Sequence, residues 1–331
     1  MQKIKWGILG TGRMAEIFTT ELQYLPMASV QAVGSRDIHK ANTFADRFKI
    51  PERFGSYENF VRDASVDVIY VATPHSFHKE NTLLALEAGK HVLCEKPFAI
   101  NFQEADVMIQ TAHHKGLFLM DALWVHFTPL MQWLKMSVEE GYLGNLGMFS
   151  GAYGYAMAFD PSSRIFNPAL GGGALLDVGI YPLSTSIRLL GIPEDVVALA
   201  KRGNTGIDER TGCVMKTGDG KISVFYTAVI NQMPLDFTVM GEKGIITVPG
   251  PWWHQDRLII KPVSGNPQEK TFPFEHRGYG YMAQHVMMCI QNGVTESPIL
   301  PHSQTLSIMN TMDKIRQAIG LTYPMEEKML P

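Results

Sequence analysis

Short apolar runs alternate with segments of helical periodicity through the first third of the chain. The predicted strands are 4–9, 29–34, 66–73, 91–94 and 117–121, and the predicted helices are 13–24, 38–48, 77–89 and 102–115. Strands that alternate with short helices are joined by right-handed crossovers and form a parallel sheet. The pattern therefore predicts an α/β domain with a doubly wound parallel sheet over residues 1–121.

The pattern changes after residue 121, where strands come to dominate. Helices are predicted at 128–141 and 174–190, the strands at 195–201, 211–217, 221–231, 234–241, 244–248 and 257–262, and the final helices at 278–293 and 303–320. Gly-containing turns join several of the strands, as in an antiparallel meander. Residues 122–331 are thus predicted to form an α+β domain with a mostly antiparallel open sheet, whose final helices can pack back on the first domain.

Composition narrows the classes of protein that fit. The 331 residues carry a formal net charge of -3, so there is no diffuse basic field to hold a nucleic acid. Cys94, Cys213 and Cys289 are too few and too widely spaced for a disulfide scaffold or a tetrahedral metal cage. With no cleavable leader and no apolar stretch of about 20 residues, we expect a cytoplasmic protein without a membrane partner.

A glycine motif follows the first predicted strand. It fits G-x-G-x-x-G/A and consists of Gly10, Thr11, Gly12, Arg13, Met14 and Ala15. Gly10 permits the tight turn, Gly12 lets the backbone approach a pyrophosphate, and Ala15 allows close packing of helix on strand. An ordinary glycine turn is the alternative, but the position between a strand and a helix at the head of a βαβ series favours a dinucleotide site.

The residues after the second strand favour NADP over NAD. An acidic residue there would bind the ribose 2′-hydroxyl, whereas Ser35 and Arg36 can donate to a 2′-phosphate, with Lys40 adding charge one helical turn later. In the alternative interpretation Arg36 is merely solvated and Asp37 takes the ribose.

Two further loops lie where the third and fourth strands end. Thr73, Pro74, His75 and His78 follow the third strand, where they are expected to shape the cofactor groove. A metal site at the two histidines is rejected, because no carboxylate–histidine cluster completes a coordination set. Glu95 and Lys96 close the next strand, and Pro97 restricts the backbone so that Lys96 points into the crevice or else pairs with Glu95 at the surface.

Four segments together resemble one enzyme family. They are GILGTGRMA, VIYVATPHSFH, CEKP and GGGALLDVGIYPLS, and they resemble the glucose-fructose oxidoreductase, inositol dehydrogenase and MocA family over essentially the whole chain. Three features are most similar to its branch of dimeric dihydrodiol dehydrogenase and NADP-dependent D-xylose 1-dehydrogenase: ALW at 122–124, the segment 164–183, and SRD after the second strand. The resemblance implies a Rossmann domain, a C-terminal domain whose open sheet often forms a dimer interface, and metal-free hydride transfer between NADP and a sugar or diol. A homodimer or higher oligomer is therefore expected.

The resemblance also implies catalytic roles for Lys96, Asp177 and Tyr181. Independently, Asp177 and Tyr181 are one turn apart and share a face if 174–190 is helical. A phenol ionises near pH 10, at about the pKa of free tyrosine, and an adjacent ammonium group such as that of Lys96 would stabilise its phenolate. Tyr181 can then take the hydroxyl proton, while Asp177 orients the substrate or Lys96.

Candidate substrate contacts carry open alternatives. Trp124 offers a flat apolar wall for a sugar ring or arene, or is simply a buried structural residue. Arg164 reaches substrate oxygens, or anchors its loop to the following helix. His126 and Asp121 stand where relatives commonly have Arg and Glu, which leaves the identity of the substrate open.

Two other functions remain open at the level of sequence. Some relatives of this fold use tightly held NAD for transient oxidation and elimination, and so cleave glycosides. A dinucleotide-sensing regulator is the other, although a sensor has no need for a proton-transfer group.

Overall fold

A computed structural model describes residues 3–327 of the chain. Its contacts divide the chain into two compact units. The first unit contains the described residues up to Phe127 together with Glu275–Leu306, and the second contains Thr128–Phe274 and the described residues from Ser307 onward. No helix within residues 3–327 is both long and apolar enough to cross a membrane.

The first unit is built on a six-stranded parallel sheet in the order β3-β2-β1-β4-β5-β6. Its strands are β1 (Ile4–Leu9), β2 (Ala28–Gly34), β3 (Glu52–Phe54), β4 (Val68–Val71), β5 (His91–Cys94) and β6 (Leu119–Asp121). Its helices up to that point are α1 (Arg13–Gln23), α2 (Ile38–Phe48), α3 (Tyr57–Asp63), α4 (His78–Glu87) and α5 (Phe102–Lys115). The doubly wound prediction is confirmed, and the strand order reverses between β1 and β4, where such sheets bind ligands beyond the strand ends.

Glycines in two neighbouring strands let α3 pack closely on the sheet. A Cβ at Gly7 of β1 would lie 2.8 Å from the Phe60 ring, and one at Gly34 of β2 would lie 2.7 Å from it. Contacts under about 3 Å are not sustained between carbon atoms, so these two glycines make room for the fully buried Phe60.

The second unit is built on an eight-stranded sheet in the order β14-β13-β12-β11-β7-β10-β9-β8. The strands are β7 (Leu146–Gly154), β8 (Pro193–Arg202), β9 (Asp208–Thr217), β10 (Ile222–Ala228), β11 (Phe237–Gly241), β12 (Gly244–Val248), β13 (Arg257–Pro262) and β14 (Gln268–Thr271). Every pair is antiparallel except β7 with β10. The mostly antiparallel sheet is confirmed, although β7 interrupts the predicted meander.

A π-helical turn (Leu175–Gly179) and the helix that follows it, α7 (Ile180–Leu190), pack on the second sheet. The remaining helices of the described chain are α6 (Pro129–Glu139), which comes before β7, α8 (Tyr279–Gln291), which belongs to the first unit, α9 (His302–Ala318) and α10 (Pro324–Glu327). All 11 residues of α7 are buried, and the helix contacts β7 and β10. Together, the π turn and α7 (Leu175–Leu190) are called the site helix below.

Candidate active site

The turn after β1 leaves space at the start of α1. Gly10 has φ +106°, and a Cβ there would lie 2.7 Å from the carbonyl oxygen of Ala72, so this position requires glycine. A Cβ at Gly12 would meet no atom within 4 Å. The helix begins at Arg13 with Gly12 as its N-cap, so its first amide groups face open space, as a pyrophosphate site requires. The neighbouring Thr11 and Met14 are half-buried, whereas Arg13 is exposed.

At the end of β2, the carboxylate of Asp37 is used to cap a helix. It accepts a hydrogen bond of 2.9 Å from the backbone N–H of His39 in the first turn of α2. The hydroxyl of the buried Ser35 accepts a hydrogen bond of 3.3 Å from the N–H of Asp37. Asp37 therefore caps α2 through one carboxylate oxygen, and Lys40 is exposed on the same helix.

Arg36 is exposed but held against two aromatic side chains. Its guanidinium carbon lies 5.2 Å from the centre of the Phe77 ring, and its charge lies close enough to the Tyr57 hydroxyl to lower the pKa of that phenol. Burial raises the pKa of Tyr57, and the adjacent Arg36 charge partly offsets the rise. Tyr57, which the sequence analysis did not single out, thus helps to fix a cation beside the end of β2.

The loop after β4 is tied to the loop after β5 by one histidine ring. His78 is fully buried, with Nδ1 2.7 Å from the carbonyl oxygen of Pro97 and Nε2 2.9 Å from that of Thr73. His75 is also buried and begins a short 3₁₀ turn after Pro74. Both nitrogens of His78 therefore face backbone, so this ring positions the two loops.

Buried acids surround the backbone at Lys96. The carboxylate of Glu95 accepts a hydrogen bond from the Tyr70 hydroxyl and one of 3.2 Å from the N–H of Lys96, which is itself half-buried. The Lys96–Pro97 peptide bond is cis. Asp121 ends the adjacent strand, and burial, reinforced by the Glu95 charge, raises its pKa well above the usual range. Lys96 therefore follows an acidic, desolvated strand edge.

Trp124 lies in a 3₁₀ turn of the first unit, with Trp124–Phe127 as its bounds. It is 3% exposed, and its ring stacks on that of Tyr279 in α8 with centroids 4.4 Å apart. His126, in the same turn, is fully buried.

The site helix begins with a π turn where the sequence predicted regular helix. Asp177 lies in that turn, and Tyr181 is the second residue of α7. Single π turns inserted in α-helices occur frequently at functional sites. The two side chains contact Tyr155 and Tyr153, which lie two residues apart and so project from one face of extended chain. Asp177 and Tyr181 therefore share a face, as predicted for a regular helix.

Asp177 is held from both sides by residues of the second unit. Arg164 donates a hydrogen bond of 2.8 Å to Oδ1, and the Tyr155 hydroxyl donates to Oδ2. The Asp177 side chain is 4% exposed, against 47% for Arg164. Burial and the Asp177 charge raise the pKa of Tyr155, so the phenol stays a neutral donor. Arg164 thus joins its loop to the site helix, and Tyr155 is a partner that sequence reasoning missed.

Tyr181 packs among aromatic rings. Its ring centroid lies 5.1 Å from that of Tyr153 and 6.3 Å from that of Trp252, and Trp253 stacks on Tyr153 at 3.9 Å. Tyr181 is 6% exposed. A phenol in this setting has an apolar wall beside it and a carboxylate one turn earlier on the same helix, which suits proton exchange with a ring-bearing alcohol.

A doubly wound parallel sheet with a glycine turn after its first strand is typical of proteins that bind a dinucleotide. The family model described as "Oxidoreductase family, NAD-binding Rossmann fold" matches residues 4–122, and that of the GFO/IDH/MocA C-terminal domain matches residues 131–247. The chain belongs to the GFO/IDH/MocA oxidoreductase family, as its motifs predicted.

Relatives of known name extend over the full chain. Trans-1,2-dihydrobenzene-1,2-diol dehydrogenase from Homo sapiens is 34% identical over 336 residues, covering 98% of this chain and 99% of that protein. The enzyme of the same name from Macaca fascicularis is 35% identical over 334 residues, with the same coverage.

Solved structures share the fold. An aldose-aldose oxidoreductase from Caulobacter crescentus, complexed with glycerol, superposes with a TM-score of 0.88 at 25% identity, covering 96% of this chain and 97% of that one. A 3-ketoreductase from Actinomadura kijaniata, in complex with NADP and TDP-benzene, gives a TM-score of 0.87 at 22% identity, covering 96% and 98%.

Proposed function

We propose that this protein transfers a hydride between NADP and a hydroxyl-bearing carbon of a cyclic sugar or vicinal diol. The observation that carries the proposal is the setting of Tyr181, a buried phenol beside aromatic rings and one turn after a fixed carboxylate. The whole-length similarity to enzymes named for a trans-diol of benzene supports the class of substrate. The test is whether reduced nicotinamide forms when the protein is mixed with NADP and sugars or trans-diols.

In the proposed reaction the chain's own residues handle the proton and the charge. A bound NADP supplies the hydride acceptor. Tyr181, as a phenolate stabilised by the ammonium group of Lys96, takes the proton from the substrate hydroxyl as the hydride leaves the carbon that bears this hydroxyl. Asp177, which is held by Arg164 and by the Tyr155 hydroxyl, orients the substrate or Lys96. In the reverse direction Tyr181 is the acid.

The preference for NADP is supported by how β2 ends. One oxygen of the Asp37 carboxylate caps α2, whereas Arg36 lies against Phe77 and close to Tyr57 with its charged end exposed. Planar guanidinium groups bind phosphate through paired hydrogen bonds.

Arg36→Ala is expected to lower kcat/KM with NADP by about 10- to 100-fold, the size of a lost charged hydrogen bond, and to change kcat/KM with NAD by less than about threefold. Steady-state kinetics with both cofactors measure this split. Arg47→Ala is the control, because Arg47 pairs with Glu16 at 2.9 Å on the surface. An equal loss with both cofactors would contradict the assignment.

We propose that the uncovered face of the second sheet is where two copies of the chain associate. Its exposed apolar residues are Met148, Val197, Leu199, Val214 and Tyr226, and they lie on the four adjacent strands β7, β10, β9 and β8. The registers of these strands place all five side chains on one face. Contiguous apolar surface of this kind marks an interface, and the resemblance to dimeric relatives favours a second copy.

Val197→Glu is expected to convert a dimer into a monomer in analytical ultracentrifugation, because the dimer would bury an unpaired charge in this apolar face. Val197 is 67% exposed in the single chain. Val107→Glu is the matched control, since Val107 is 48% exposed on α5 of the first unit and should leave the dimer intact. A wild-type monomer, or a Val197→Glu dimer, would refute the assignment.

We propose that the protein is cytoplasmic, because its cysteine thiols are free. Cys94, Cys213 and Cys289 are buried and free, as expected in a reducing compartment. Recovery of the native protein from a membrane or secreted fraction would contradict this.

A further inference from the structure

A buried carboxyl group lies at the start of the site helix. Asp208, the first residue of β9, is fully buried. Its Oδ2 accepts hydrogen bonds of 2.8 Å from the N–H of Leu175 and 2.7 Å from the hydroxyl of Thr211. Leu175 opens the π turn that carries Asp177, so Asp208 provides the acceptor that the first turn of the site helix otherwise lacks.

The glycine-rich turn before this helix is shaped to admit the carboxyl group. Gly173 has φ +124°, and a Cβ there would collide with Oδ1 of Asp208, so both conformation and space require glycine. The preceding carbonyl group, of Gly172, accepts a hydrogen bond of 2.7 Å from the buried hydroxyl of Tyr323. The turn and the helix start are therefore fixed by β9 and by the chain just before α10.

The charge of Asp208 is kept at a cost in stability. Burial raises the pKa of Asp208 to about 6, although hydrogen bonds from Thr211 and Leu175 lower it. An aspartate in the unfolded chain has a pKa of about 3.9. Because the folded value is the higher one, the stability linked to protonation is complete below about pH 4 and is lost as the pH rises through 6. An ionised Asp208 thus weakens the fold at neutral pH, which argues that the carboxylate serves something other than stability.

We propose that Asp208 is a positioning residue, whose carboxylate fixes the start of the site helix and thereby the placement of Asp177 and Tyr181. This inference rests on the proposed function of those two residues. It extends the site to Asp208, which lies 31 positions after Asp177 and 27 positions after Tyr181 in sequence and contacts neither side chain. Displacement of a catalytic group by about 1 Å can cost 10²-fold in rate. An enzyme in which the start of the site helix is poorly fixed should therefore turn over slowly.

Asp208→Asn separates positioning from stability. Its amide oxygen still accepts hydrogen bonds, but neutral bonds have about half the strength of charged ones, so we expect kcat to fall about 10-fold with KM for NADP unchanged. Above pH 6 the wild type carries a buried charge at Asp208 that destabilises the fold, whereas asparagine does not ionise. The Tm of the variant should therefore equal or exceed that of the wild type. Asp208→Ala, which has no acceptor, should lower kcat further. Asp195→Asn, at an exposed carboxylate paired with Lys216, is the control.

The pH dependence supplies a readout that a merely structural role would not move. As the pH falls through about 6, wild-type Asp208 becomes neutral, so the ratio of wild-type kcat to Asp208→Asn kcat should fall towards one. The phenol of Tyr323 also faces this carboxyl group, and burial raises its pKa well above the usual range. Tyr323 therefore stays neutral, and Arg316 beside it stays charged, throughout the experiment.

Amide hydrogen exchange tests the inference without any turnover. Exchange at residues 175–181 should be faster in Asp208→Asn and Asp208→Ala than in the wild type, and unchanged in Asp195→Asn. Unchanged exchange there, or an Asp208→Asn kcat equal to the wild-type value at pH 7.5, would overturn the positioning role. A wild type that shows no turnover while exchange still responds would instead reject the proposed function and leave Asp208 as the anchor of this helix.

Discussion

Replacing Tyr181 by phenylalanine is expected to lower kcat by about 10²-fold or more, the usual range for loss of a general acid or base. The change removes one oxygen from a side chain whose ring packs against Tyr153 and Trp252, so the aromatic contacts and the fold should persist. Steady-state kinetics with NADP and the best substrate measure the loss, and fluorescence titration with NADPH should show unchanged cofactor affinity.

Tyr153→Phe is the matched control for that experiment. It makes the same chemical change on the ring next to Tyr181, and Tyr153 remains stacked on Trp253. We expect its kcat to stay within about fivefold of the wild type, since no proton transfer is assigned to it. A Tyr181→Phe enzyme that retains most of its activity, or two variants that lose equally, would remove Tyr181 from its assigned role.

Replacing Lys96 by methionine is the second large expected loss. The ammonium group is assigned to the negative charge of the Tyr181 phenolate, and losing one such charge-stabilising donor costs on the order of 10²- to 10³-fold in kcat. Lys96→Arg should not restore activity, because the planar guanidinium group of the longer arginine side chain cannot replace the compact ammonium group of lysine. Lys115→Met is the control. Lys115 is the last residue of α5, where it pairs with Glu87, and no catalytic role is assigned to it.

The double variant of Lys96 and Tyr181 tests whether the two residues act on one chemical step. Groups that work as a unit lose little more together than either loses alone. We therefore expect kcat of the Lys96→Met, Tyr181→Phe enzyme to lie within about 10-fold of the worse single variant. Multiplicative losses would show that Lys96 and Tyr181 act in separate steps.

The parallel sheet was predictable because each element is coded locally. The hydrophobic periodicity and the residues that begin and end elements are enough to place β1, α2 and β5. The structure puts the bounds of these elements within a residue or two of the predictions. The short β3 and α3 were missed because three residues of strand, Glu52–Phe54, give no period to detect.

The strand β7 escaped prediction for a physical reason. It contains Gly147, Gly151 and Gly154, and glycine is disfavoured in strands. The structure uses two of these positions for close approach. A Cβ at Gly151 would lie 3.0 Å from the Phe149 ring, and one at Gly154 would lie 2.5 Å from the carbonyl oxygen of Ala228. Low intrinsic preference is thus overridden by pairing with β10 and β11 on either side.

The residues that bear chemistry were more visible in the sequence than the residues that hold them. Asp177 and Tyr181 stand four positions apart in one recognisable segment, whereas Tyr155 and Asp208 reach that segment from positions 22 and 33 residues away from their bonding partners. Neither belongs to a local motif, because a tyrosine after a strand and an aspartate at the head of one have many ordinary uses. Only the fold brings them to the site helix.

The measurement that tests the central claim is the absorbance of reduced nicotinamide when the purified protein meets NADP or NAD with D-xylose, D-glucose, inositol and a cyclic trans-diol, run beside Tyr181→Phe. We expect turnover with NADP and a sugar or diol, and a rate lower by about 10²-fold or more in the Tyr181→Phe variant. Cofactor binding without turnover on any of these substrates would contradict the account, and release of phenol from an aryl glycoside without added cofactor would replace it with glycoside cleavage.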